Sequence, residues 1–246
     1  MLRYIILGIS QGITEFLPVS SSGHLVIMQH ILGITYNQLA LSVVLHLGTA
    51  FALAVFFFRD LLGLAKNFKL LRLLFIVTII TAIIGLLGKD FFEALFSSVK
   101  LVALALIVTG IILILTKKFI FGQRKKITFK DALVLGFTQS IAIIPGISRS
   151  GITISTLLFR GIDRENSFRF SFLAAMPVIF GAAILEAKNI DFAMRMESGN
   201  LLAGFVASFL AGIISLKFLK MVLKQARLHY LGYYCIIIAI ITLIFI

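Results

Sequence analysis

Cysteine, acidic residues and proline are all scarce in this sequence of 246 residues. The single cysteine, Cys235, excludes a fold that depends on intramolecular disulfides. Charged residues make up 13% of the chain, against about 25% in soluble domains, which is too little charge for a soluble surface. The only prolines are Pro18, Pro145 and Pro177, so residues that break helices are few.

What the chain has instead is apolar residues and basic charge. Hydrophobic residues make up 60% of the sequence and the mean hydropathy is +1.10, which excludes intrinsic disorder because low hydrophobicity is its signature. The 23 basic residues outnumber the 10 acidic ones, for a net charge of +13. They lie between apolar stretches rather than on one helix face, which indicates membrane topology and no nucleic-acid partner.

Six runs of residues predict ordinary transmembrane helices, because a bilayer core takes about 20 apolar residues in helical form. The six runs are Leu39–Phe58, Leu73–Gly88, Leu101–Thr116, Phe170–Leu185, Leu201–Leu216 and Leu231–Ile246. We expect no cleaved signal peptide, because Gln11 and Glu15 interrupt the apolar stretch that follows Arg3 and no small-residue cleavage site follows.

Two further apolar stretches, Tyr4–Leu32 and Ala132–Phe159, are interrupted near their middle by proline, glycine and several serines. Proline removes a backbone donor, and lipid offers no partner for the groups that it frees. A broken helix at membrane depth therefore lies inside the protein or beside a water-filled cavity. The alternative interpretation is an ordinary transmembrane helix with a proline kink.

The second interrupted stretch repeats parts of the first at an offset of 128 residues. Leu7–Gln11 matches Leu135–Gln139, and Ser20–Gly23 matches Ser148–Gly151. The chain therefore divides into the halves 1–127 and 128–246 of one membrane domain. Each half has one interrupted stretch followed by three plain runs.

The charges of the loops predict how the halves are oriented, since basic loops face the cytoplasm. The basic loops are Arg59–Arg72, Lys117–Asp131 and Lys217–Arg227, whereas Lys89–Lys100 and Glu186–Glu197 have no basic excess. These loops fall on their favoured sides only if the second interrupted stretch enters the membrane and returns. The prediction is an all-α integral membrane protein with an inverted-topology repeat, in which each half is a re-entrant helix hairpin plus three transmembrane helices.

The first interrupted stretch contains an isolated acidic group. Glu15 is the only acid in the first 59 residues, and ionisable groups in apolar stretches are candidate functional residues. Gln11 lies one helical turn earlier on the same face, and the two side chains offer oxygen ligands for a hard cation such as Mg²⁺. The alternative is a structural glutamate that is bound by a serine or an arginine.

Hydroxyl groups and a histidine follow directly. The hydroxyls of Ser20, Ser21 and Ser22, with freed backbone N–H groups, suit phosphate oxygens. His24 is a candidate general acid or base, and its alternative role is packing. His30 and His46 lack such neighbours in the sequence and are expected to be packing residues.

The second stretch places Arg149 between Ser148 and Ser150, with Thr153 one turn later. Arginine suits bidentate recognition of phosphate, and a helix N-terminus here adds backbone donors. The alternative, an arginine that reaches to the membrane surface, is weakened because Arg149 lies in the middle of the stretch. The two stretches together predict a phosphorylated ligand at membrane depth, and the acid, histidine and serine favour hydrolysis over binding alone.

The segments Gln11–His24, Pro145–Thr153 and Phe170–Pro177 resemble the bacitracin-resistance undecaprenyl-diphosphate phosphatase family (BacA/UppP). The resemblance implies hydrolysis of a C55 isoprenyl diphosphate to the monophosphate and inorganic phosphate, which recycles the lipid carrier of cell-wall assembly. It also implies a requirement for Mg²⁺ or Ca²⁺. The expected location is the cell membrane, with the site facing its outer side and a homodimer as an open expectation.

The resemblance also implies roles for individual residues. Glu15 takes the place of the family's fixed acid, and Gln11 takes the variable position of a metal-binding pair. Ser21 and His24 take the places of nucleophile and acid/base, and a water molecule remains an alternative nucleophile. The diphosphate-binding residues are Arg149, Ser148 and Thr153, with Ser20, Ser22 and Ser150 beside them. The rival hypothesis is a flippase for a polyprenyl phosphate, since inverted repeats with broken helices are typical of transporters.

Overall fold

The computed structural model describes residues 1–31, 38–64, 66–95, 98–119, 122–187 and 198–245. Within these ranges the secondary structure is helical, with no β-strand. The helices are α1 (Leu2–Phe16), α2 (Ser21–Ile31), α3 (Gln38–Phe56), α4 (Phe58–Leu64), α5 (Phe68–Leu87), α6 (Lys89–Leu95), α7 (Val99–Leu115), α8 (Phe129–Ile141), α9 (Arg149–Phe159), α10 (Arg164–Ala187), α11 (Ser198–Lys224) and α12 (Leu228–Phe245), with a 3₁₀ turn at Thr116–Lys118.

Five of these helices, namely α5, α7, α10, α11 and α12, are long and apolar enough to cross a membrane. A sixth span forms if α3 and α4, which meet at a bend of 72°, are taken together. The prediction of an all-helical, multi-pass membrane protein is therefore confirmed. The short helices α4 and α6 lie in segments predicted as loops, and α11 continues to Lys224, beyond the predicted end at Leu216.

The outer faces of these helices are apolar, as contact with lipid requires. In α5, for example, the buried residues are Leu73, Leu74, Val77 and Thr81, while Phe75 is 63% exposed. Apolar surface on this scale would be unstable in water. The burial pattern therefore agrees with the membrane location inferred from composition.

Phenylalanines pack at the centre, where the end of α1, the bend between α3 and α4, and α10 meet. The ring of Phe16 lies edge-on to Phe172 with centroids 5.7 Å apart, and Phe168 lies 5.0 Å from Phe172. Phe57, at the bend, is 5.6 Å from Phe168. These rings hold the C-terminal end of α1 against α10, and so fix the position of the chain just before the first interruption.

Both interrupted stretches consist of two helices joined by a non-helical segment, which we call the first tip (17–20) and the second tip (142–148). α1 ends two residues before Pro18, because proline disfavours the helical conformation of the residue before it. In the second tip Gly146 has a φ of +97°. A Cβ atom there would lie 2.2 Å from the carbonyl oxygen of Val102, so that only glycine fits.

The tips meet through two contacts that are counterparts of each other. A Cβ built on Gly23 would lie 3.7 Å from the Cα of Gly146, and one built on Gly151 would lie 3.3 Å from the Cβ of Pro18. The offset of 128 residues converts Gly23 into Gly151 and Pro18 into Gly146. The same contact therefore occurs twice, with the roles of the two halves exchanged.

The longer helices exchange partners in the same way. α1 packs on α11, and its counterpart α8 packs on α5. Glycine allows both approaches: a Cβ on Gly8 would lie 2.4 Å from the carbonyl oxygen of Gly204, and one on Gly136 would lie 2.9 Å from the Cβ of Ile80. α3 likewise contacts α11, and α10 contacts α5. Such an exchange is expected of two halves related by pseudo-two-fold symmetry.

A buried carboxylate joins the two ends of the second interrupted stretch. Asp131, in the first turn of α8, accepts hydrogen bonds from Arg160, which follows α9, and from Arg124 at 2.9 Å. It also forms a capping box with Thr128. Burial alone would raise the pKa of Asp131, but the hydrogen bonds from Arg124, Arg160 and Thr128 outweigh it and hold the pKa below its ordinary value. The start of α8 and the end of α9 therefore lie side by side.

Candidate active site

A cavity of about 720 Å³ lies where the two tips face α3, α5 and α10. Its polar lining includes Glu15, Ser20, Ser21, Ser22, His46, Ser148 and Arg149. Its apolar lining includes Leu25, Val26, Ile143, Ile147, Val178 and Ile179. A cavity with these two kinds of lining fits a ligand with a polar end and an apolar body.

Glu15 is the centre of the polar lining, with a side chain only 3% exposed. Its Oε2 accepts hydrogen bonds from Ser21 Oγ at 2.6 Å and from Gln11 Nε2 at 2.9 Å. Its Oε1 lies 3.3 Å from Nη2 of Arg149, and its Oε2 lies 3.6 Å from Nε2 of His46. A buried carboxylate needs such partners, because an unpaired one would be strongly destabilising.

The start of α2 presents Ser21 to this carboxylate. The preceding residue, Ser20, has a φ of +66°, which is unusual for a residue other than glycine. Its Oγ accepts a hydrogen bond from the backbone N–H of Gly23 at 3.4 Å and lies 3.3 Å from Oγ of Ser22. Strained residues of this kind are concentrated at functional sites, where the surrounding structure holds them in place.

The start of α9 is built in the same way. Ser148 caps the helix by accepting a hydrogen bond from the N–H of Gly151 at 3.1 Å, and its Oγ lies 3.3 Å from Oγ of Ser150. Thr109 of α7 fixes the tip, because its hydroxyl donates to the carbonyl of Gly146 at 2.8 Å and accepts from the N–H of Ser148 at 3.0 Å. Two helix N-termini, each with a positive dipole end, therefore meet at the cavity.

Arg149 is the first residue of α9, and its side chain is 27% exposed. Its contact with Glu15 leaves most of its five N–H donors available. Together with the two helix N-termini, the guanidinium makes this part of the cavity suitable for an anion.

The structure brings most of the predicted site residues together. Gln11, Glu15, Ser21 and Arg149 form one connected group, and Ser20, Ser22 and Ser148 line the same cavity. Their chemical roles stay predictions, but the two tips, which are far apart in the sequence, meet as expected.

Ser150 and Thr153 lie behind Arg149, beside a void of only about 10 Å³. The Thr153 hydroxyl donates to the carbonyl of Arg149 at 2.7 Å and lies 2.5 Å from Oγ of Ser171. Thr153 is therefore placed to support the backbone of Arg149, whereas direct contact with a ligand in the main cavity is not what this geometry favours.

His24 is directed away from Glu15. Its Nδ1 lies 2.9 Å from the carbonyl oxygen of Ser20, its Nε2 lies 2.8 Å from the hydroxyl of Tyr234 on α12, and the two rings stack. The histidine that reaches Glu15 is His46 of α3, which the sequence reasoning set aside as a packing residue. One signal could have found it, because His46 is the only ionisable group in the run Leu39–Phe58 and ionisable groups in such runs are candidate functional residues. The side chain of His30 lies outside the described residues.

The donor atoms around Glu15 restrict how a divalent cation could bind. Among the described residues, no three His, Cys, Asp or Glu side chains form a cluster that could hold a metal. Gln11 offers Oε1, which is buried and has no hydrogen-bond partner among the described residues. One carboxylate and one amide oxygen fit Mg²⁺ only when substrate phosphates and water complete its coordination, which is a common arrangement for this ion.

Comparison with known proteins adds an independent finding. The profile of a protein family described as "Bacitracin resistance protein BacA" matches residues 4–241. A relative named "Undecaprenyl-diphosphatase" from Halothermothrix orenii is 42% identical, over 98% of this chain and 96% of its own. Proteins with the same name from Carboxydothermus hydrogenoformans and Syntrophotalea carbinolica are 42% and 43% identical, over 98% and 95% of this chain and 95% and 94% of theirs.

Proposed function

We propose that this chain, which belongs to the bacitracin resistance protein BacA family, hydrolyses undecaprenyl diphosphate to undecaprenyl phosphate and inorganic phosphate. One observation carries the proposal: the hydroxyl of Ser21 donates to the buried carboxylate of Glu15, which is also paired with Arg149, inside a cavity with an apolar lining. The product is the lipid carrier that cell-wall assembly uses again.

The hydrogen bond between Ser21 and Glu15 suits the first chemical step. Ser21 Oγ attacks the terminal phosphorus, and its proton passes to Glu15. The bond from that phosphorus to the bridging oxygen breaks, and its electron pair leaves with the lipid monophosphate. Arg149 stabilises the charge on the phosphoryl oxygens, which is the main source of catalysis in phosphoryl transfer.

Water completes the turnover. It attacks the phosphoserine, the phosphorus–Oγ bond breaks, and inorganic phosphate leaves while Ser21 regains a proton. In the alternative route, water attacks the substrate directly and Glu15 accepts its proton, so Ser21 only positions the carboxylate. The two routes differ in whether hydrolysis survives without the Ser21 hydroxyl.

We further propose a divalent cation, Mg²⁺ or Ca²⁺, as cofactor. Glu15 would hold it, and Oε1 of Gln11 is the candidate second protein ligand. When bound, the ion supplies charge neutralisation for the diphosphate. Because the protein offers a single carboxylate here, most of the remaining ligands come from the substrate and from water.

The apolar lining suits the first isoprene units of the substrate. Leu25 and Val26 of α2 and Val178 and Ile179 of α10 contribute to it. The remainder of the lipid would pass between helices into the bilayer, against their apolar outer faces. The relatives' names favour hydrolysis over the rival hypothesis of a flippase.

For the topology we propose two inverted halves, each with a re-entrant hairpin, in the cell membrane with the site open to its outer side. The Asp131–Arg160 contact supports a hairpin in the second half, because it joins the two ends of the stretch. In the first half, Leu7 of α1 and Leu25 of α2 belong to one buried cluster. The basic loops support a cytoplasmic location for the opposite ends.

Phosphate release by the purified protein in detergent tests the activity, because no second compartment exists there and transport cannot be observed. We expect undecaprenyl diphosphate to be hydrolysed with Mg²⁺ and not with a chelator, and the R149A variant to lose the activity. An inactive wild-type protein that is folded and supplied with Mg²⁺ would contradict the proposal.

Labelling of the S22C variant tests the orientation. Cys235 is fully buried, so a cysteine at position 22 is the only one expected to react. A membrane-impermeant thiol reagent added to intact cells should label S22C, and wild type is the matched control. Labelling only in inside-out vesicles would show the opposite orientation.

A further inference from the structure

His46 occupies a place in the cavity that the roles assigned so far leave unexplained. Its Nε2 lies 3.6 Å from Oε2 of Glu15, the same oxygen that accepts the Ser21 hydroxyl. Its Nδ1 lies 2.8 Å from the carbonyl oxygen of Ser42, one turn earlier in α3. One ring nitrogen therefore faces a backbone acceptor, and the other faces the carboxylate that receives the proton.

The backbone contact determines where the ring carries its proton. A carbonyl oxygen can only accept a hydrogen bond, so Nδ1 of His46 must be the protonated nitrogen. In the neutral ring Nε2 then has a free lone pair, and this lone pair faces a carboxylate oxygen. Two acceptors in this position gain a favourable interaction only when a proton lies between them.

The position of His46 is fixed by packing around it. Its carbonyl oxygen accepts a hydrogen bond from Thr49 Oγ1 at 2.8 Å. Ser208 of α11 donates to the carbonyl of Leu45 at 2.8 Å, and a Cβ on Gly48 would lie only 2.0 Å from the Oγ of Ser208. This stretch of α3 therefore lies tightly against α11, and the imidazole is held towards the cavity rather than free to turn away.

We propose that His46 is the positioning residue of Glu15: it holds the carboxylate towards Ser21 and shares the proton that Glu15 takes up when Ser21 attacks. The inference rests on the proposed hydrolysis. The proton moves from Ser21 Oγ to Glu15 and is then held between Oε2 of Glu15 and Nε2 of His46. It returns to Ser21 Oγ when the phosphoserine is hydrolysed.

The charged surroundings of His46 are simple. Among the described residues that line the cavity, the titratable or charged ones are Glu15 on α1, His46 itself and Arg149 on α9. The cavity-lining residues of α2, α5, α8 and α10 are apolar or carry hydroxyl or amide groups. A protonated His46 would donate to Glu15 and make it a weaker base, so the proposal predicts slower turnover at acidic pH.

His24 provides the competing assignment. Both of its ring nitrogens are engaged, by the carbonyl of Ser20 and by the hydroxyl of Tyr234, and it does not line the cavity. If His24 is the acid/base that the family resemblance implies, its replacement should change the pH dependence. If His46 has the role proposed here, the pH dependence should follow His46 instead.

The test is kcat and KM of purified wild type, H46A, H46Q and H24A between about pH 5 and pH 9, the range in which a histidine changes charge. We expect H46A to lower kcat by about 10²-fold, the lower end of the range for acid–base groups, with KM almost unchanged. The fall of kcat towards acidic pH should disappear. H46Q can still donate an amide hydrogen to Glu15, so it should recover part of kcat but not the acidic fall.

The controls separate this inference from the activity itself. H229A removes a histidine outside the cavity and should behave as wild type, and thermal unfolding of each variant checks its folding. The proposal is overturned if H46A and H46Q keep the wild-type kcat and its acidic fall, or if H24A alone abolishes that fall. A folded wild type that hydrolyses nothing would instead contradict the proposed function, so the two failures are distinguishable.

Discussion

Removing Arg149 should destabilise the folded protein as well as slow its reaction. Nη2 of Arg149 lies 3.3 Å from Oε1 of Glu15, whose side chain is 3% exposed. Two unit charges at this distance attract by about 5 kcal/mol at an effective dielectric constant of about 20. Because Arg149 is 27% exposed, solvent screens part of this attraction. We therefore expect R149A to lower the free energy of unfolding by about 3 kcal/mol, which is typical when a buried ion pair loses one partner.

A double-mutant cycle measures this coupling directly. Thermal unfolding of wild type, R149A, E15Q and R149A/E15Q is compared in one detergent. Because the neutral amide that E15Q introduces needs no cation, we expect the double variant to be more stable than R149A. The R149K variant is the matched control, since it keeps the charge but loses the planar fork. Simple addition of the two single-variant effects would refute a charged, paired Glu15.

The same variants decide whether the Glu15–Arg149 pair is catalytic or only structural. If it served only to join the two tips, the double variant would recover turnover together with stability. We expect R149A/E15Q to recover stability and still hydrolyse undecaprenyl diphosphate at least about 10²-fold more slowly than wild type. Turnover near the wild-type value in that variant would leave the pair with a structural role alone.

Three further predictions concern single positions. S21A should reduce kcat by at least about 10²-fold, measured as phosphate release, and substantial residual hydrolysis would favour attack by water over attack by Ser21. Asp131 has a lowered pKa in the folded protein, so its contribution to stability is present above the ordinary aspartate pKa and is lost as pH falls. The difference in unfolding midpoint between wild type and D131N should therefore shrink below about pH 4, and a constant difference would contradict this. G146A should unfold at a lower temperature than wild type, because Gly146 has φ +97° and a Cβ there would contact the Val102 carbonyl. G181A, at a position with no neighbour within 4 Å of the added Cβ, is its control.

The fold could be predicted from the sequence to the extent that its signals are local. Apolar runs indicate the long helices, and the interruptions follow from prolines, glycines and hydroxyl residues that change the backbone where they stand. The bend at Phe57 has no such local cause, since the surrounding run is continuous and apolar. Packing against Phe168 and Phe172 fixes Phe57, and that contact exists only in the folded protein.

The site was predictable for the same reason and to the same extent. Glu15, Ser21 and Arg149 stand out because each is polar in an apolar stretch, and the meeting of the two tips follows from the repeat. The two histidines were not separable in this way. His24 follows a row of serines but binds Tyr234, which is 210 residues away in the sequence, whereas His46 has apolar sequence neighbours and reaches Glu15 through the packing of α3.

The repeat itself explains why the site needs both halves. At the offset of 128 residues, the capping serines correspond (Ser20 and Ser148), and each accepts a hydrogen bond from the glycine three residues later. The residue after each cap differs, and it is Ser21 in the first half and Arg149 in the second. The common residues build two equivalent helix N-termini, and the differing ones supply a hydroxyl to attack phosphorus and a cation to stabilise the charge. Neither half holds both groups, so a single half could place a phosphate at its helix terminus but could not complete the reaction.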